Sequence, residues 1–171
     1  YYGNTAKNSS KPYAMAGVKG TVTIGSFDAQ YMSRNLIARA NFIYGTITDS
    51  KEIYDINRKY FNSTGYPITP FGKAAMAYEV GYNILSFFNT KERLFPFIRY
   101  EYYNTGQQIA SGTQKLPRYK RDLITVGLNY YLLSSLVLKF DYSHRRIGGN
   151  AYNSEDTFGV TLAYTGWFFS K

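Results

Sequence analysis

The chain has 171 residues and a formal net charge of +9, which suits one folding unit. Cysteine is absent and His144 is the single histidine, so a disulfide framework, a thiolate metal site and any centre needing two imidazoles are excluded. No run approaches ~18 consecutive apolar residues, so no transmembrane helix is expected, and Tyr1-Tyr2-Gly3 shows no basic-then-apolar leader.

Residues 1–12 are expected to be an outer connection. The first strand is expected over 15–31. Val18, Val22 and Ile24 lie on one parity and Phe27, Ala29 and Tyr31 on the other. A bulge near Gly25-Ser26 restores a single apolar face, because one extra residue flips the parity; two separate short strands are the competing reading. Over 35–47, Leu36, Ala38, Ala40, Phe42 and Tyr44 oppose Arg39, Asn41 and Gly45. A long connection, 48–73, follows. Ile53, Ile56 and Tyr60 have helix-like spacing in it, compatible with a loop folded inward or one covering a rim.

Over 74–85, Met76, Tyr78, Val80, Tyr82 and Ile84 oppose Ala77, Glu79, Gly81 and Asn83. Over 94–103, Ile98, Tyr100 and Tyr102 oppose Arg99, Glu101 and Tyr103. After a second long connection, 104–119, the strand 120–132 sets Ile124, Val126, Leu128, Tyr130 and Leu132 against Thr125, Gly127, Asn129 and Tyr131. Over 136–145, Leu136, Leu138, Phe140 and Tyr142 oppose Lys139, Asp141, Ser143 and Arg145. The last strand, 157–169, sets Phe158, Val160, Leu162, Tyr164 and Phe168 against Thr157, Gly159, Thr161, Ala163 and Thr165. The alternation has the period of half-buried strands.

Alternation alone does not say what the apolar side meets. In a soluble sandwich it meets another sheet; in a transmembrane barrel it meets lipid while the polar side lines a lumen. The connections discriminate. Those at 32–34, 86–93 and 133–135 are short, and those at 48–73, 104–119 and 146–156 are longer, in strict alternation. An up-and-down barrel sorts its turns this way. The chain holds 19 Tyr and 12 Phe. Tyr102, Tyr103, Tyr130, Tyr131, Trp167, Phe168 and Phe169 gather near strand ends, as interfacial girdles do. The expected fold is therefore all-β, one transmembrane up-and-down antiparallel β-barrel domain over 1–171, with about seven strands. Seven is odd, and an open lipid-exposed sheet leaves two unpaired edges in hydrocarbon, so these strands are expected to be part of a larger barrel.

Phe97-Ile98-Arg99-Tyr100-Glu101-Tyr102-Tyr103 resembles a PF-[IV]-R-Y-E segment of Gram-negative outer-membrane porins. Ile124-Thr125-Val126-Gly127-Leu128-Asn129-Tyr130-Tyr131, with Val137-Leu138-Lys139-Phe140-Asp141-Tyr142 after it, resembles a hairpin near the end of the same proteins. Tyr78-Glu79-Val80-Gly81-Tyr82 is similar to another of their strands. The resemblance is to the porin O and P family of phosphate- and polyphosphate-selective channels. It implies the C-terminal part of a barrel of roughly 16 strands, wide enough for an aqueous channel. It also implies a homotrimer, a bacterial outer-membrane location and small hydrophilic solutes, phosphate among them.

On this reading the lumen-facing charged residues are Arg39, Glu79, Arg99, Glu101, Lys139, Asp141 and Arg145. Arg99 with Glu101, and Lys139 with Asp141, are expected as ion pairs two residues apart on one face. Lys115, Arg118, Lys120 and Arg121, with Tyr119 among them, are expected on an external basic rim. Such a rim suits plain solvation, lipopolysaccharide phosphates or a raised anion concentration at a pore mouth better than nucleic acid. Asp141, Ser143 and His144 do not make a triad, because His144 has the opposite parity. No phosphate-cradling or dinucleotide loop occurs. No catalytic residue, metal or cofactor is expected. Two further readings stay open: a barrel without an open pore that binds, adheres or assembles within an envelope complex, and a soluble antiparallel β protein with a basic ligand-binding surface.

Overall fold

The computed structural model describes residues 2–4, 20–60, 72–109, 115–149 and 154–164. Eight strands form one antiparallel sheet in strict chain order. They are β1 (Tyr2–Asn4), β2 (Thr21–Met32), β3 (Leu36–Ile47), β4 (Gly72–Tyr82), β5 (Arg93–Gln108), β6 (Lys120–Leu133), β7 (Leu136–Ile147) and β8 (Glu155–Tyr164). One helix, α1 (Ser50–Tyr60), lies between β3 and β4. Each strand pairs with its sequence neighbours, as a meander requires, and the sheet does not close: β1 and β8 are its two edges.

Several expected boundaries move. Tyr2–Asn4 pairs with Thr21–Thr23, so 1–12 is not wholly connection and the strands number eight, not seven. The β2–β3 ladder runs unbroken from Val22↔Ile47 to Met32↔Ile37, so no bulge occurs at Gly25-Ser26. β5 extends to Gln108 and a 3-10 turn covers Pro117–Tyr119, which shortens the expected connection at 104–119. β8 begins at Glu155. The expected ends at 15–19 and 165–169 lie outside the described residues.

Turn chemistry explains the tight ends. Ser33 Oγ accepts from the Leu36 amide at 3.0 Å while the Ser33 amide donates to the Leu36 carbonyl at 2.8 Å. Ser134-Ser135 alone joins β6 to β7, and small polar residues tolerate so tight a reversal. The third short connection, 83–92, is organised by Asn83. Its amide donates to the Asn35 carbonyl at 2.7 Å, and its Oδ1 accepts from the Leu94 amide at 3.0 Å. The long connections share the opposite end. There α1 forms, with a Lys51–Asp55 pair at 2.6 Å across one helical turn. Ile53 packs over Gly20 beside Ile47. Ile47 has the parity of Arg39 and Asn41, so the start of the helix leans toward the polar face.

Paired residues share a face, and successive residues along a strand point to opposite faces. The buried apolar residues Ile37, Phe95 and Val137 all belong to the polar face, at the short-connection end. Phe95 is 3% exposed and stacks edge-on against Tyr131, ring centroids 5.7 Å apart. The other face is apolar and uncovered: Phe158 is 70% exposed and Leu162 65%, and Val80, Ile98, Val126, Leu128 and Val160 are exposed beside them.

Candidate functional site

The polar face of the sheet is the candidate site. Chained registers run one row across it: Gln30, Arg39, Glu79, Arg99, Thr125, Ser143 and Thr157. The next row toward the long connections holds Asp28, Asn41, Ala77, Glu101, Leu123, Arg145 and Glu155. Asp141 and Lys139 occupy the next two rows toward the short connections, so the seven charged residues expected to share a face do share one.

Their contacts are more specific than parity alone. Arg39 Nη1 donates to Glu79 Oε1 at 2.9 Å. Glu79 Oε2 lies 3.7 Å from Arg99 Nη1, and Arg99 Nε lies 3.1 Å from Glu101 Oε2. Four residues from three strands therefore form one alternating ion ladder. Arg145 donates to Glu155 at 2.7 Å, a partner that enters the wall because β8 starts two residues earlier than its alternation indicates. Thr125 and Ser143 share a hydroxyl hydrogen bond of 2.8 Å between these charged zones, and Asn41 donates to Asp28 at 3.3 Å.

Lys139 and Asp141 behave differently from expectation. They do not pair within 4.0 Å. Instead the Asp141 carboxylate lies over Gly159, where an added Cβ would stand 2.8 Å from Oδ2. Gly127 in the same row accepts the Phe97 ring, and an added Cβ there would meet the Phe140 carbonyl at 2.5 Å and the ring at 2.6 Å. The glycines keep this part of the wall flat by letting neighbouring side chains lie across the backbone. Among the described residues neither Lys139 nor Asp141 has an ion-pair partner within 4.0 Å.

The four basic residues expected on an external rim all lie at the long-connection end, but the strand pleat separates two of them. Lys120 belongs to the apolar side, over the Tyr102 ring at 5.9 Å and 3.9 Å from Asp122 Oδ2. Arg121 belongs to the polar side, where it donates to the Tyr103 hydroxyl at 2.9 Å. Arg118 lies 5.4 Å over the Tyr119 ring, and Lys115 donates to the Gln107 carbonyl at 3.4 Å. Aromatic groups thus contact Arg118, Lys120 and Arg121, and a backbone carbonyl contacts Lys115.

Above the apolar band a second polar set appears that the alternation did not flag. Tyr100 donates to Asp122 at 2.8 Å, and Tyr142 donates to Asp156 at 2.8 Å. His144 Nδ1 lies 2.7 Å from the same Asp156 oxygen. The tyrosines bridge from apolar neighbours to carboxylates nearer the long connections, the placement that an amphipathic ring favours. His144 thus has a structural partner on β8, and Ser143 points to the other face. Among the described residues no group of three metal-ligating side chains occurs, and no helix is long and apolar enough to cross a membrane.

No family model and no solved structure matches the chain. Over 100 residues it is 27% identical to an uncharacterized protein of Aquifex aeolicus (strain VF5), a match covering 58% of this chain and 23% of that protein. The chain thus spans under a quarter of the length of the curated relative it matches.

Proposed function

We propose that this chain is part of the wall of a bacterial outer-membrane porin, a transmembrane β-barrel whose water-filled lumen passes small hydrophilic solutes by diffusion, with a preference for anions such as phosphate. One observation carries the reading: the sheet exposes its continuous apolar band and keeps its charge ladder on the other face. A water-soluble domain rarely leaves so large a patch uncovered. In lipid that face is satisfied, and the ladder faces water. The strands are long enough, since about 9–11 tilted residues cross the hydrocarbon. The sorted connections and the tyrosines above the band support the same orientation. Because unpaired edges are costly in hydrocarbon, further strands complete the sheet at β1 and β8, in a barrel of the size the porin O and P resemblance implies.

The lumen does no chemistry; selectivity follows from width and unbalanced charge. Arg39, Arg99 and Arg145 are each paired with carboxylates and Lys120 with Asp122, so the anion bias rests on Lys139 and Arg121, with Asp141 opposing it. The rim also meets the phosphates of lipopolysaccharide, and the assembled unit is a homotrimer. Planar-bilayer recording of the complete protein tests the reading. Stepwise conductance with anion-selective reversal potentials is the expected result. A protein that inserts but never conducts supports instead a closed barrel serving an envelope assembly.

A further inference from the structure

We propose that a cavity at the short-connection end, between the turns 33–35 and 83–92, binds a small oxyanion. Its volume is about 410 Å³, within the ~300–1,000 Å³ range of small-molecule sites. Arg34, Lys91 and Arg93 line it together with Ser86, Thr90 and Asn83. Arg34 and Lys91, from two connections far apart in sequence, and Arg93 at the start of β5 thus converge with two hydroxyls on one space. None of the three cations has a carboxylate within 4.0 Å among the described residues.

Glu92 also borders the cavity. Its Oε2, however, accepts the Tyr130 hydroxyl at 2.6 Å, and Tyr130 belongs to the apolar face, where its partner in β5 is Leu94. The nearest carboxylate is therefore engaged with a residue of the opposite face. Arg93 is held in place by stacking, its guanidinium carbon 4.8 Å from the Tyr131 ring centroid. Asn83 fastens the two turns to each other through Asn35 and Leu94, and it is buried. Thr90 Oγ1 accepts from the Glu92 amide at 3.2 Å, which leaves its own proton to give. Arg34, Lys91 and Arg93 outnumber Glu92, so the lining carries net positive charge. Charge-assisted bonds to a multi-oxygen anion complete such a set.

The chemistry is common to phosphate and to carboxylates, and the inference does not depend on an open pore. Titration calorimetry of the complete protein in detergent, at constant ionic strength, separates the two sources. The probes are inorganic phosphate and succinate. Saturable binding of at least one probe is expected, with the tighter one identifying the source. Arg34→Gln and Lys91→Gln should each weaken it roughly tenfold or more, while Lys51→Gln on α1 leaves it unchanged. Circular dichroism confirms that each variant keeps its strands. Absence of saturable binding by both probes, or equal weakening in all three variants, overturns the site. Because calorimetry needs no conduction, its failure is distinct from failure of the porin reading.

Discussion

Leu128 and Asn129 are neighbours in β6, yet they belong to environments with opposite physical chemistry. Leu128 and Val160 are exposed, with half-buried Phe140 between them in the same apolar row. Asn129 lies between buried Phe95 and Lys139, on the face that carries the ion ladder. In a water-soluble sheet the apolar row would be covered and the charged face open to solvent. Here the few buried apolar side chains lie on the charged side, near the short connections, and the long apolar band is exposed among the described residues. The difference teaches that the apolar residues of this face are not buried within the described chain; the proposed reading gives them lipid as their partner.

The comparison breaks most sharply under a charge on the apolar row. Leu128→Arg should destabilise the protein in lipid by ~2–4 kcal/mol if the site is near the midplane. Asn129→Arg, one residue away, should cost under ~1 kcal/mol. Urea unfolding in vesicles measures both, and equal costs would remove the distinction between the faces.

A smaller contrast is set by two glycines. Gly127→Ala forces a methyl against the Phe140 carbonyl and should cost about 1–3 kcal/mol. Gly25 on the apolar face has open space around it, so Gly25→Ala should change stability by no more than ~0.5 kcal/mol. The same unfolding assay reads the pair, and a neutral Gly127→Ala would show that the wall is not packed flat.

Within the ladder, Glu79→Gln should cost about 1 kcal/mol or less, because Arg39 and Arg99 are substantially exposed. Its effect on conduction should be clearer: two arginines lose their shared counter-charge and anion selectivity rises. Lys139→Glu and Arg99→Glu each replace a cation by a carboxylate on the polar face and should move the reversal potential toward cations. Both shifts should shrink from 0.1 to 1 M salt, as the screening length falls from ~10 to ~3 Å. Unchanged selectivity in all three variants would separate these residues from the ion path.

The β6–β7 hairpin was legible because alternate residues differ in kind and Ser134-Ser135 leaves no slack in register. The shared face of Arg39, Glu79, Arg99 and Glu101 follows from the same period of two. β2 misled because Val22 and Ile24 look like members of the apolar row. They are instead on the polar face, at the end where Ile53 of α1 packs over Gly20, so an inward-leaning helix explains an apolar parity that a bulge was invoked to repair. β1 is too short to alternate. Glu155 and Asp156 have weak strand propensity, and only their cross-strand partners Arg145 and His144 reveal them as strand. The cavity at the short-connection end left no sequence signal, because Arg34 and Lys91 lie in separate turns brought together by the β3–β4 ladder and the Asn83–Asn35 bond.

The central claim is that one face meets lipid and the other water. The chain has no native cysteine, so single cysteines at 125, 126, 128, 129, 139, 160, 161 and 162 can carry spin labels in the complete, membrane-embedded protein. Collision rates with oxygen and with a water-soluble nickel complex then report the surroundings of each label. The account predicts strict alternation, with 126, 128, 160 and 162 favouring oxygen and 125, 129, 139 and 161 favouring nickel. Nickel access at the apolar positions, or no alternation along β6 and β8, would contradict it.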